Sequence, residues 1–345
     1  LSLLNPFYKE EFFMRAAVIT QFNQPWEIKT IPDPRPQPGQ VLIKIHASGM
    51  CGTDLHVHHG FMGMTPPIVA GHEPVGEIVE LGAGVTDLRV GDRVGVHWNQ
   101  KGCGRCRTCQ SGNQYACAKA QSWMHIGGGN ADLMLAWASG CALLPEGLAY
   151  EKAAPIFCAG YTVMSGLRNA DPKPGERVAI LGLGGLGHLA LQFSHALGLE
   201  TWAITGQPNK AAELKSMGAH EVMVTGEDLG KAMRDAGGFD IILSTTNHAQ
   251  QISSAFGGLH EGGRMVSMGV ANGPIAIDPI TLMIGQRQLR GSSQDERSDL
   301  VEALELVAAG KVKPMIEVYA LDKVNEVRHR LEAGLVRYRA VFAQT

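Results

Sequence analysis

Residues Gly182-Leu183-Gly184-Gly185-Leu186-Gly187 constrain what this chain can fold into more than any other stretch. They follow a short apolar run, Arg177–Leu181. They open a segment in which Leu186, Leu189, Ala190, Phe193 and Leu197 recur at helical spacing. A G-x-G-x-x-G pattern alone is weak. Between a strand and an amphipathic helix it predicts a tight turn whose backbone approaches a pyrophosphate and whose helix N-terminus faces the phosphates. The alternative is an ordinary tight strand–helix turn. Further short strands are predicted over Thr201–Thr205, Glu221–Thr225, Phe239–Thr245, Arg264–Gly269 and Gln288–Ser292. Six strands alternating mostly with helices predict an α/β unit built on a doubly wound parallel sheet.

The chain before this unit reads differently. Residues 14 to about 160 are mostly β, with strands predicted over Ala16–Thr20, Gln40–Ser48, Glu77–Leu81 and Asp92–His97, separated by turns rich in Pro and Gly. After the α/β unit, Asp299–Gly310 and Asp322–Gly334 read as helices, and Arg337–Ala343 reads as a strand returning to the first domain. Residues 1–13 lack alternation and read either as a leader or artificial extension, or as an arm packed on a neighbouring subunit. A length of 345 residues suits two domains, and a formal charge of −3 gives no argument for nucleic acid or an anionic membrane. No apolar run approaches a membrane span, and no secretory signal pattern is visible, so a cytoplasmic location is expected.

Seven cysteines, an odd number with four of them clustered, favour metal binding over disulfides in such a chain. Cys103, Cys106, Cys109 and Cys117 have spacings that can close a tetrahedron of thiolates around Zn²⁺ with no open position, which makes the site structural. Met50-Cys51-Gly52-Thr53-Asp54-Leu55-His56 is ambiguous alone. It gains meaning only if Gly71-His72-Glu73 and Phe157-Cys158-Ala159-Gly160 reach it.

In this order, Cys51-Gly-Thr-Asp-Leu-His, Gly71-His-Glu, the four-cysteine lobe, Cys158-Ala-Gly-Tyr-Thr and the glycine turn resemble the zinc-dependent medium-chain alcohol dehydrogenases, nearest the microbial and cinnamyl-alcohol-dehydrogenase-like branches. The resemblance runs from Met14 to the C-terminus. It implies a GroES-like, mostly-β catalytic domain (14–160 and 296–345) carrying a zinc lobe at about 97–120, and a Rossmann cofactor domain (161–295) with a six-stranded parallel sheet. It places a catalytic zinc on Cys51, His72 and Cys158, with a fourth position for water or substrate oxygen, and gives two zincs per chain. Glu73 matches a carboxylate near the metal, and Asp54 an acid that orients His72. Thr53 and His56 match a proton relay from substrate hydroxyl toward solvent. Gly182, Leu183, Gly184, Gly185, Leu186 and Gly187 match the cofactor turn. Thr162 and Leu186 match positions near the nicotinamide, and Arg339 a basic residue on the cofactor phosphates. Trp98 matches a pocket-lining tryptophan, and Met62 replaces a second one, so alcohols and aldehydes larger than ethanol are expected. Two departures are Gly52, which removes a basic contact to the pyrophosphate, and Pro74, which holds Glu73 extended.

The strand before Gly206 ends in Thr205, not an acid, and Lys210 follows. An acid there would repel a 2′-phosphate, so NADP is expected ahead of NAD. The expected reaction is reversible hydride transfer between a primary or secondary alcohol and the nicotinamide cofactor, giving aldehyde or ketone. The expected assembly is a homodimer or homotetramer. The competing readings are a zinc-free quinone or enone reductase on the same fold and a non-enzymatic cofactor-binding sensor. Of the remaining histidines, His188 and His195 are read as helix-surface or packing residues, His58 and His59 either line the proposed cleft or point to solvent, and His125 is given no role; Cys141 is read as a small apolar residue.

Overall fold

The computed structural model describes residues 12–112 and 114–343. The chain divides into two compact units. The first runs to Leu143 and is rejoined by Val318–Leu335 and the residues from Val341. The second is Leu144–Glu317 with Val336–Ala340.

In the first unit a small antiparallel sheet pairs Phe13–Ile19 with Glu27–Pro32 on one side and Ile68–Val69 on the other. Met14, Ala16 and Val18 alternate inward and pack with Ala131, as period-two patterning requires. A larger sheet has the order Cys141–Leu143, Arg93–Val96, Glu73–Leu81, Gln40–Met50. The strand Leu133–Trp137 also pairs with Gln40–Met50. Val41, Ile43, Ile45 and Ala47, which alternate along the central strand, are all buried. The helices Gly52–His58 and Val324–Glu332 pack together in this unit.

The second unit is a six-stranded, fully parallel sheet in the order Glu221–Val224, Glu200–Thr205, Arg177–Leu181, Phe239–Ser244, Leu259–Ser267, Gln288–Gly291. All six strands expected from the sequence are present. Helices on the sheet bury Leu181, Ile204, Phe239, Ile242, Phe256 and Met265. The strand order reverses direction beside Arg177–Leu181, and the carboxyl ends of strands at such a switch point form the ligand crevice of doubly wound sheets. The glycine turn sits there, immediately after Leu181 and before the helix Gly187–Ala196.

The four-cysteine lobe, two short strands and the helix Arg107–Gln110 complete the first unit. The expected leader, residues 1–13, lies outside the described residues except for its last two, where the first strand begins. Among the described residues no helix is long and apolar enough to cross a membrane.

Candidate metal centres and cofactor cradle

Cys51 is where the strand Gln40–Met50 turns into the helix Gly52–His58. Its extended backbone makes it the N-cap, and its sulfur accepts from the Thr53 N–H at 3.4 Å. Asp54 closes the cap in return, its Oδ2 accepting from the Cys51 N–H at 2.9 Å. The other carboxylate oxygen accepts from the Gly71 N–H at 3.2 Å, and Oδ2 also lies 3.5 Å from His72 Nδ1. One fully buried acid therefore starts a helix, anchors the approach to His72 and faces its ring. His72 Nε2 points the other way, 3.1 Å from Cys51 Sγ and 4.0 Å from Glu73 Oε1.

These donors are buried, and the ligand atoms of Cys51, His72 and Glu73 lie within 4.8 Å of one another. Burial disfavours charge on His72, but the Cys51 sulfur and Asp54 outweigh it and raise the ring well above its usual range. The pocket thus attracts positive charge. Sulfur, imidazole and carboxylate converging in such a field are the donor chemistry of a zinc centre. Trp123 stacks on the His72 ring (centroids 5.8 Å apart) and Trp98 meets it edge-on at 5.4 Å. Trp98 is expected from the sequence, whereas Trp123 is not. Its closeness in sequence to the cysteine lobe is the signal that could have found it.

Thr53 and His56 sit on the same short helix, both half-buried, and the His56 ring lies 6.2 Å from that of the exposed Phe61. Met62 lines a cavity of about 550 Å³ with Thr65, Ile68, Met124 and His125. Trp98 is not among its lining residues, so the structure does not join the two expected pocket residues in one cavity.

The lobe brings Cys103, Cys106, Cys109 and Cys117 together, with all four sulfurs within 4.8 Å of one another. Cys106 caps the helix Arg107–Gln110 and accepts from the Cys109 N–H at 3.5 Å. The Thr108 hydroxyl and that N–H pull the Cys106 thiol down to about 6, while burial pushes Cys109 up to about 12. Four crowded thiols cannot all ionise without a cation, and a tetrahedral divalent ion fits this set.

In the second unit Cys158 ends the turn Ala154–Phe157 and caps the helix Ala159–Ala170, with its carbonyl accepting from the Thr162 N–H at 2.9 Å. Gly182 has φ +90°, and a Cβ at Gly187 would lie 1.8 Å from the Gly182 carbonyl oxygen. The turn therefore tolerates only glycine at these two positions. A Cβ at Gly184 would meet nothing within 4 Å, leaving its backbone open for a phosphate to approach. Arg339 is buried beside this turn, 2.8 Å from where a Gly185 Cβ would stand. The glycine cradle with a buried cation fits a dinucleotide pyrophosphate. Leu183 is buried and Leu186 half-buried at the helix start. Thr205 Oγ1 accepts from the Gln207 N–H at 3.1 Å, and Lys210 follows on the turn Pro208–Lys210.

The sequence finds no acid at the end of that strand. The structure brings one there from the next helix: Glu213 meets Arg337 and Tyr338, both missed by sequence reasoning although they adjoin Arg339. The histidines set aside have structural partners. His58 is buried against Trp26, and His188 is buried and stacked on Tyr338 at 4.8 Å. His195 meets His220 edge-on at 5.9 Å. Cys141 is fully buried.

Comparison with known proteins places this geometry. A family model described as alcohol dehydrogenase GroES-like domain matches residues 37–146, and one described as zinc-binding dehydrogenase matches residues 185–309. An alcohol dehydrogenase from Geobacillus stearothermophilus is 37% identical over 95% of this chain and 98% of its own length. A solved cinnamyl alcohol dehydrogenase from Sorghum bicolor is 30% identical, with a TM-score of 0.88 over 96% of this chain and 98% of that one. An acetophenone reductase from Geotrichum candidum, solved in complex with NAD, is 27% identical, with a TM-score of 0.86 over 96% of this chain and 97% of that one. The chain belongs to the zinc-dependent medium-chain alcohol dehydrogenases, oxidoreductases that interconvert alcohols and aldehydes with zinc and a nicotinamide cofactor.

Proposed function

We propose that this chain is an NADP-preferring alcohol dehydrogenase and aldehyde reductase that binds two zinc ions, one for catalysis and one for structure. The observation that carries the reading is the buried Cys51–His72–Glu73 group with Asp54 behind it, where His72 Nε2 faces sulfur and Nδ1 faces carboxylate. Cys51, His72 and Cys158 hold the catalytic ion, and Cys103, Cys106, Cys109 and Cys117 hold the structural one. When bound, zinc supplies Lewis acidity toward the substrate oxygen, and the nicotinamide supplies the hydride acceptor or donor.

The chain's own residues do the rest. Asp54 fixes the His72 ring and raises its basicity as a ligand. Glu73 stands close enough to exchange with a ligand. Thr53 Oγ1 accepts the substrate hydroxyl proton as its own proton moves on toward the half-buried His56 imidazole, which releases it to solvent. The glycine turn and Arg339 bind the pyrophosphate, Leu186 and Thr162 flank the nicotinamide, and Thr205 and Lys210 take the adenosine ribose. Trp98 borders the site edge-on to His72, and Met62, which lines a separate cavity, leaves space where a second tryptophan would stand, which suits alcohols and aldehydes larger than ethanol. The proposed domains are a catalytic one over 14–160 and 296–345 and a cofactor one over 161–295.

The assembly is a cytoplasmic homodimer or homotetramer. Its support is the edge strand Gln288–Gly291, flanked by exposed Ile280, Met283 and Ile284 of the helix Pro279–Ile284. A panel of alcohols and aldehydes run with both cofactors, beside zinc analysis of the purified protein, tests the reading. Two zincs per chain and a higher kcat/KM with NADP support it. A clear preference for NAD, or near one zinc per chain, overturns the corresponding part.

A further inference from the structure

At the carboxyl end of the strand Glu200–Thr205, where a doubly wound sheet holds the adenosine ribose, two cations converge on one aromatic ring. Lys210 Nζ lies 5.0 Å and the Arg337 guanidinium carbon 5.4 Å from the Tyr338 ring centroid. The ring is held from behind by His188, stacked nearly parallel at 10°. One carboxylate bonds both Arg337 and the ring's hydroxyl. Glu213 accepts from Arg337 Nε at 3.1 Å and from the Tyr338 hydroxyl at 2.8 Å. Glu317 accepts from the Arg337 backbone N–H at 2.8 Å.

We propose that Glu213 is a built-in counter-ion that sets cofactor choice: it holds Arg337 until a ribose 2′-phosphate arrives, and Arg337 then leaves it to join Lys210 on that phosphate. This rests on the reading that a 2′-phosphate is accommodated here. The Arg337 side chain is about half exposed, so solvent screens its side of the pair with Glu213 and the guanidinium has room to turn toward another anion. A phosphate dianion offers more charge and more acceptor oxygens to the guanidinium fork than one carboxylate does. Burial and then repulsion from Arg337 lower Lys210, and the charge of Glu213 acts against both. Glu213 thus weakens 2′-phosphate binding in two ways: it occupies Arg337, and its own charge faces the incoming anion.

The test is calorimetric binding of adenosine 2′,5′-bisphosphate and of adenosine 5′-monophosphate to the full chain, read as the ratio of the two dissociation constants. Glu213→Gln is expected to shift that ratio at least about tenfold toward the bisphosphate. Adding Arg337→Gln to it should erase the gain. Glu213→Ala, with the same expected direction, serves if the first variant does not fold. An unchanged ratio in the Glu213 variants, or a gain that survives loss of Arg337, overturns the proposal. A wild-type ratio that favours the monophosphate, together with a gain in Glu213→Gln that needs Arg337, upholds it while removing the NADP preference. A wild-type ratio that favours the bisphosphate but moves in neither variant does the reverse.

Discussion

Gly49 faces Glu73 across the antiparallel ladder of the strands Gln40–Met50 and Glu73–Leu81, and a Cβ at Gly49 would stand 1.9 Å from Glu73 Oε2. The missing side chain is what lets this carboxylate lie in the sheet beside His72. The strand that leads into Cys51 and the strand that carries Glu73 are thus joined at the one position where a buried acid needs space.

Gly49→Ala should therefore displace Glu73 instead of merely filling a gap. Overpacking a rigid strand pair costs about 1–3 kcal/mol. The expected result is a lower Tm together with a drop in kcat/KM, measured by thermal unfolding and steady-state kinetics. A variant with unchanged kinetics would separate Glu73 from the reaction.

Asp54→Asn removes the charge that caps the helix at Cys51 and faces His72 Nδ1. Loss of such a supporting carboxylate lowers metal affinity by roughly 10–100-fold. Competition with a chelator should show this for one of the two zincs and leave the lobe's ion in place.

Cys158→Ala and Cys106→Ser should fail differently. The first is expected to abolish turnover, lose one zinc and keep the native circular dichroism. The second should lose the other zinc and lower the Tm, because Cys106 both caps the helix Arg107–Gln110 and contacts Cys117 at 3.7 Å. Near-normal turnover in Cys158→Ala would refute the ligand assignment.

His188 gives the fold an acid limit. Burial, and then the charge of Arg339, depress its ring from an ordinary 6.5 to about 3. The folded chain therefore keeps this ring neutral where the unfolded chain protonates it. The contribution is fully present above the unfolded value of 6.5 and falls away toward about 3 as the pH drops. The slope is up to about 1.4 kcal/mol per pH unit. His188→Gln should flatten that part of a denaturant-unfolding profile against pH. An unchanged slope would show that the ring titrates normally.

The parallel sheet of the second unit was legible because its central strands, such as Arg177–Leu181 and Phe239–Ser244, are short apolar runs bounded by glycine or polar turns, and the helix after the glycine turn repeats its apolar residues on one face. These are local signals. The four-cysteine lobe is local too, since all four cysteines fall in the one short stretch from Cys103 to Cys117. The sequence by itself therefore determined the fold class, the place of the glycine turn between strand and helix, and the cysteine cluster. It also marked Cys51 and His72 as donors, through their resemblance to a family motif.

Contacts between distant residues were decided only by the tertiary structure. No spacing rule connects Trp123 to His72, Gly49 to Glu73, or Glu213 to Arg337, which lie 124 residues apart in the chain. Reading the end of the strand Glu200–Thr205 alone shows no acid. The fold supplies one from the following helix and ties it to a cation from the closing segment. Strand order, ladder register and the packing of those segments set such meetings, and they arise from burial of apolar surface far from the groups that meet. The electrostatics of a site belong to the folded chain, whereas the donor types that make it possible are already written in the sequence.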